Sequence, residues 1–190
     1  MSKKRSGRSD DPDGNSPAVL IVRMSSLGDI ILTAPVLRNL RLRWPDARIE
    51  MLVKPQFAAA AAASPFLSGV IPFSGFFPAL RAVQGGGYDI LIDLHASPRS
   101  RLLSLLSGVK TRVRYRKDSL ARRLFVNLRI PSPALEKHTL ERYLAVLDAL
   151  GVPAPHRGPV PGDWAAAAAA SPVKPGKTRI CLLQSAFLGD

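Results

Sequence analysis

Apolar residues in this chain come in short unbroken runs separated by longer amphipathic stretches. Val19-Leu20-Ile21-Val22 contains no polar residue, and Ile90-Leu91-Ile92 is likewise uninterrupted. Runs of this length without alternation predict strands covered on both faces, as in a parallel sheet between helices. Between them the period lengthens to that of helices. Residues 29–43 place Ile30, Ala34 and Leu37 on one face before Trp44-Pro45-Asp46 stops the element, and residues 138–150 place Leu140, Leu144, Leu147 and Leu150 on another. The full reading is strands at 19–22, 48–53, 70–73, 88–95 and 111–116, and helices at 29–43, 57–63, 75–84, 99–106, 119–127 and 138–150. Strands that alternate with helices predict an α/β fold, a doubly wound, mostly parallel Rossmann-like sheet.

The pattern fades at both ends. Residues 1–16 mix Lys3, Lys4, Arg5 and Arg8 with Asp10, Asp11 and Asp13 among Gly, Ser and Pro, which reads as a disordered leader without the apolar core of a signal peptide. Residues 17–150 form the folded unit, and 151–177 turn to Pro, Gly and Ala around Trp164, as in a connector between domains. Residues 178–190 then repeat the opening pattern: an apolar strand, small residues and Leu188-Gly189-Asp190, matching Leu27-Gly28-Asp29. They are expected to begin a second Rossmann-like unit cut short, so the chain reads as a truncated product, a gene fragment or the front of a longer fused protein.

Charge narrows the partners. Twenty-seven Lys and Arg against 14 Asp and Glu give a formal net charge of +13, and the leader is too nearly balanced to hold the excess. An anionic partner follows, unless the arginines only solvate a face. They are densest over residues 112–123, where Arg112, Arg114, Arg116, Lys117, Arg122 and Arg123 stand. Cys181 is the sole cysteine, so neither a disulfide framework nor a thiolate metal cluster is expected, and the compartment reads as cytoplasmic. No metal-ligand spacing, Walker sequence or Gly-x-Gly-x-x-Gly occurs, so no metal or cofactor is expected and a dehydrogenase fragment is disfavoured. Aromatic residues make up 6% of the chain, which leaves few stacking platforms and argues against nucleic acid. A non-enzymatic basic module for nucleic acid or another polyanion is the alternative.

Two segments carry candidate chemistry, both at carboxyl ends of predicted strands, where open α/β sheets bind ligands. In Arg23-Met24-Ser25-Ser26-Leu27-Gly28-Asp29, small residues lead from a strand to a carboxylate at a helix start. Asp29 there either complements the helix dipole or acts on a ligand, and Ser25, Ser26 and Gly28 either shape the turn or donate hydrogen bonds. In Asp93-Leu94-His95-Ala96-Ser97-Pro98-Arg99-Ser100-Arg101, Asp93 sits in an apolar strand and is expected to tie down the loop, while His95, Arg99 and Arg101 are candidates for an anion. The planar fork of Arg99 suits phosphate or carboxylate. For His95 and Arg99 the plainer readings are a turn histidine and a helix-start surface residue.

The strand followed by Ser-Ser-x-Gly-Asp and a Pro-containing helix resembles the opening signature of the family 9 glycosyltransferases, the lipopolysaccharide heptosyltransferases. The Asp93–Arg101 segment is similar to their Asp-Leu-His/Gln-x-x-x-Arg-Ser stretch, and residues 112–123 match another loosely, with Arg114 where a small residue is usual. His138 and Arg142 resemble a His-x-x-x-Arg pattern and are expected to be structural. The resemblance implies the N-terminal, acceptor-binding half of a GT-B fold, with Asp29 as the general base that deprotonates an acceptor sugar hydroxyl. It implies that Ser25, Ser26, Gly28, His95, Arg99, Arg101, Arg114 and Arg116 meet an anionic glycolipid, the lipopolysaccharide inner core, at the cytoplasmic face of the inner membrane. ADP-heptose would be bound by the second half of a complete enzyme, in an inverting reaction, and the 190 residues alone are expected to be inactive.

Overall fold

The computed structural model describes residues 16–115 and 139–158. Five parallel strands form one sheet: β1 (Ala18–Val22), β2 (Arg48–Val53), β3 (Gly69–Pro72), β4 (Ile90–Asp93) and β5 (Thr111–Arg114). Their spatial order is β3-β2-β1-β4-β5, so the chain builds outward from β1 on one side and then returns to its other side. The strand order reverses between β1 and β4, which makes their carboxyl ends the switch-point crevice of the sheet. Register aligns the exits: Val22 pairs with Leu52 and Asp93, and Asp93 with Arg114.

The helices are α1 (Leu27–Ile31), α2 (Ala34–Arg43), α3 (Ala58–Ala62), α4 (Phe76–Gly85), α5 (Pro98–Leu106) and α6 (Thr139–Asp148). Side chains alternate along β1, so Val19 and Ile21 pack with Leu37 and Leu40 of α2, Ala61 of α3 and Leu144 and Leu147 of α6. Leu20 and Val22 face the other way, into Ala79 and Val83 of α4 and Leu103 of α5. All four of these β1 side chains are fully buried, each contributing about 1.5–3 kcal/mol. The unbroken apolar run is thus the sequence trace of a strand with two cores. The doubly wound parallel sheet is as the periodicity predicts.

One helix of the sequence reading is two in the structure. The pattern predicts a single helix over 29–43, but α1 ends at Ile31 and α2 starts after Thr33, whose Oγ1 donates back to the Ile30 carbonyl of α1 at 2.6 Å. Pro35 is the cause: it has no N–H for the Ile31 carbonyl, and its ring fits only a first helical turn. Other boundaries differ by a residue or two, β4 starting at Ile90 and stopping at Asp93. The leader over 1–15, Arg116 and the rest of the arginine run, the predicted helix 119–127, His138, the connector beyond 158 and the repeat at 178–190 lie outside the described residues. Among the described residues no helix is long and apolar enough to cross a membrane.

Candidate functional site

Arg23 follows β1 directly and is 7% exposed. A cation in that position must be paired, and its partners come from three other elements. One guanidinium nitrogen donates to the Leu94 carbonyl just beyond β4, and another is ion-paired with Asp29 Oδ2 on α1. The guanidinium carbon lies 5.4 Å from the ring centroid of Tyr143 on α6, whose ring packs edge-on against Tyr115 at 5.1 Å. Arg23 thereby fastens the switch-point crevice to the helical layer.

Asp29 stands in the first turn of α1, behind the N-cap Ser26. Its Oδ2 accepts from the Ser26 backbone N–H at 3.1 Å and the Ser26 hydroxyl at 2.9 Å, besides Arg23. Its Oδ1 receives the Tyr143 hydroxyl at 3.4 Å, a long contact. Burial pushes the carboxyl pKa up, but the Ser26 hydrogen bonds and the Arg23 guanidinium outweigh it and hold Asp29 below its ordinary value. Burial, aided by Asp29 and Tyr115 against the opposing Arg23, raises the Tyr143 phenol above its ordinary range, so it stays a neutral donor. The result is an ionised carboxylate with one oxygen anchored and the other facing a weak partner. Such a group can accept a hydrogen bond, and then a proton, from an incoming hydroxyl.

The neighbouring loop is built around Asp93, 1% exposed. Its Oδ1 accepts the backbone N–H groups of His95 at 3.0 Å and Ala96 at 2.9 Å, and its Oδ2 the Ser100 hydroxyl at 2.9 Å. Asp93 ties down the loop, as the sequence reading has it. Ala96 takes a φ of +49°, and Ser97 caps α5 by accepting from the Ser100 N–H at 3.1 Å. This fixes His95 half-buried at the sheet edge, and exposed Arg99 and Arg101 in the opening of α5.

Of the candidate residues, Ser26 and Asp29 are in direct contact. Ser25 and Gly28 share their loop, and a Cβ at Gly28 would meet nothing within 4 Å, so the fold leaves open space there. His95, Arg99 and Arg101 belong to the β4–α5 loop and helix, and exposed Arg114 closes β5 beside Asp93; what unites these with Asp29 is the sheet edge. Arg112 donates instead to the carbonyls of Ser104 and Leu105 at the end of α5. Arg23 and Tyr143, which hold Asp29, were not among the candidates; the one sequence signal was a cation abutting a fully apolar run, six positions before the Asp. Among the described residues, no three His, Cys, Asp or Glu side chains gather to share a metal ion.

No protein-family model matches the chain. Lipopolysaccharide heptosyltransferase 3 of Escherichia coli K12 is 26% identical over 140 residues, covering 66% of this chain and 40% of that protein. The structure of the E. coli heptosyltransferase WaaC with ADP-2-deoxy-2-fluoro heptose superposes with a TM-score of 0.58 at 26% identity, over 78% of this chain and 52% of that one. The fold is heptosyltransferase-like. A family 9 glycosyl transferase from Veillonella parvula shares it, with a TM-score of 0.57 at 21% identity over 72% of this chain and 42% of the other. The chain spans about 40% of the curated relatives it matches, and the described sheet has the architecture of an N-terminal GT-B half.

Proposed function

We propose that these residues form the acceptor-binding half of a heptosyltransferase-like enzyme, in which Asp29 is the general base for transfer from ADP-heptose to the lipopolysaccharide inner core. The observation that carries the reading is the Asp29 carboxylate, anchored through Oδ2 by Ser26 and Arg23 and leaving Oδ1 with the long contact to the Tyr143 hydroxyl. In an inverting displacement the acceptor hydroxyl attacks the anomeric carbon as its proton passes to Oδ1, and the diphosphate departs with the bonding pair. Positioning matters more here than raw basicity, because the hydroxyl becomes acidic only as its bond to carbon forms. Ser25, Gly28 and His95 border the acceptor, while Arg99, Arg101, Arg114 and Arg116 meet its phosphates. The donor belongs to a second half, so the 190 residues alone bind acceptor and do not turn over. The protein works at the cytoplasmic face of the inner membrane.

The test is calorimetry of the chain with a phosphorylated inner-core oligosaccharide. Binding is expected to weaken several-fold on dephosphorylation and as salt shortens the screening length from about 10 Å. Equal affinity for both oligosaccharides, or preference for duplex DNA at matched ionic strength, would replace this reading with a general polyanion module.

A further inference from the structure

The outer face of α5 combines features that the transfer chemistry does not use. Leu102, Leu105 and Leu106 are 49%, 57% and 47% exposed, while Ser100 and Leu103 on the opposite face are fully buried. At about 3.6 residues per turn the three leucines make one stripe, with Arg99 along one edge and Arg101 along the other. The neighbouring α4 adds Phe77, 73% exposed, and exposed Arg81 one turn further on. The two helices are joined where the Gln84 side chain donates to the Leu106 carbonyl at 2.9 Å.

Charge selects the occupant. Residues 74–88 and 94–115 contain no Asp or Glu, yet they hold Arg81, Arg99, Arg101, Lys110, Arg112 and Arg114, all exposed. Of the two intervening acids, Asp93 is 1% exposed and taken up by the loop, and Asp89 precedes β4, at the opposite edge of the sheet, where it accepts the Ala18 N–H at 2.8 Å. A protein partner with an apolar face would need acidic groups to match such a rim, whereas an anionic bilayer offers acyl chains beneath a layer of negative headgroups. We propose that the outer face of α5, with Phe77 and Arg81 of α4, lies on an anionic lipid surface. Both helices begin at the carboxyl edge of the sheet, so the bilayer would lie alongside the Asp29 crevice.

Vesicles free of glycolipid separate this inference from the transferase reading. The 190-residue chain is expected to co-sediment with phosphatidylcholine vesicles containing phosphatidylglycerol and to bind pure phosphatidylcholine far more weakly. A Leu102→Ser/Leu105→Ser variant should bind roughly tenfold or more weakly, and Arg81→Glu several-fold more weakly. Leu42→Ser, at an exposed leucine of α2 on the other side of the sheet, should bind like the parent, with thermal melts showing all variants folded. Equal binding to both vesicles, no binding, or unchanged binding by the double variant would overturn the proposal. A dimer that the double variant dissolves, with vesicle binding intact, would assign this face to a second copy.

Discussion

Replacing Arg23 by Met keeps the apolar stem of the side chain and removes the guanidinium that holds Asp29 and lies over Tyr143. Removing one partner of a buried ion pair costs about 3–5 kcal/mol. Here the Asp29 side chain keeps 32% exposure, so water takes over part of the lost pairing and the expected cost falls to roughly 2–3 kcal/mol. For a chain of this size that lowers Tm by about 4–12 °C. The penalty should depend on pH. Asp29 sits below its ordinary 3.8 in the folded chain, so its ionised form contributes stability that is present above that pH and lost as pH falls through the lower folded value. Denaturant unfolding at pH 7 and 5 should therefore show the full gap between parent and Arg23→Met, and the gap should narrow below about pH 4. An Arg23→Met/Asp29→Asn double-mutant cycle should give a coupling of at least about 1 kcal/mol at pH 7. A pH-independent gap, or additive effects in the cycle, would refute Arg23 as the group that anchors Asp29.

Asp93→Ala strips a buried acceptor from two backbone N–H groups and the Ser100 hydroxyl, and should cost about 2–4 kcal/mol in a denaturant melt; a cost under about 0.5 kcal/mol would mean the loop does not depend on it. Gly28→Ala should leave stability within about 0.5 kcal/mol, since its methyl meets open space, yet raise KM for the acceptor in a two-domain enzyme completed with a donor half. An unchanged KM would show that no substrate approaches that backbone.

How much of this was legible in the sequence depends on the range over which each contact acts. The strands were plain because β4 buries every side chain and β1 all but that of Ala18, and burial on both faces leaves a continuous apolar run. The tether role of Asp93 was also readable, since its partners lie within seven residues. Pro35 marks the break between α1 and α2 in the structure, but the apolar spacing of Ile30, Ala34 and Leu37 continues through it and reads as a single helix. The anchoring of Asp29 was hidden because Arg23 reaches a carbonyl 71 residues away and Tyr143 a carboxylate 114 residues away. Only the folded sheet brings those groups together, and no local spacing encodes them.

The claim that Asp29 acts on the acceptor hydroxyl is tested most directly by turnover of Asp29→Asn in a two-domain enzyme completed with a donor half, using ADP-heptose and a heptose-deficient core. Asn keeps an oxygen to accept from Ser26 but cannot take a proton, so kcat should fall about 10²–10⁴-fold with acceptor KM nearly unchanged. A kcat within a few-fold of the parent, with the variant folded, would contradict the account.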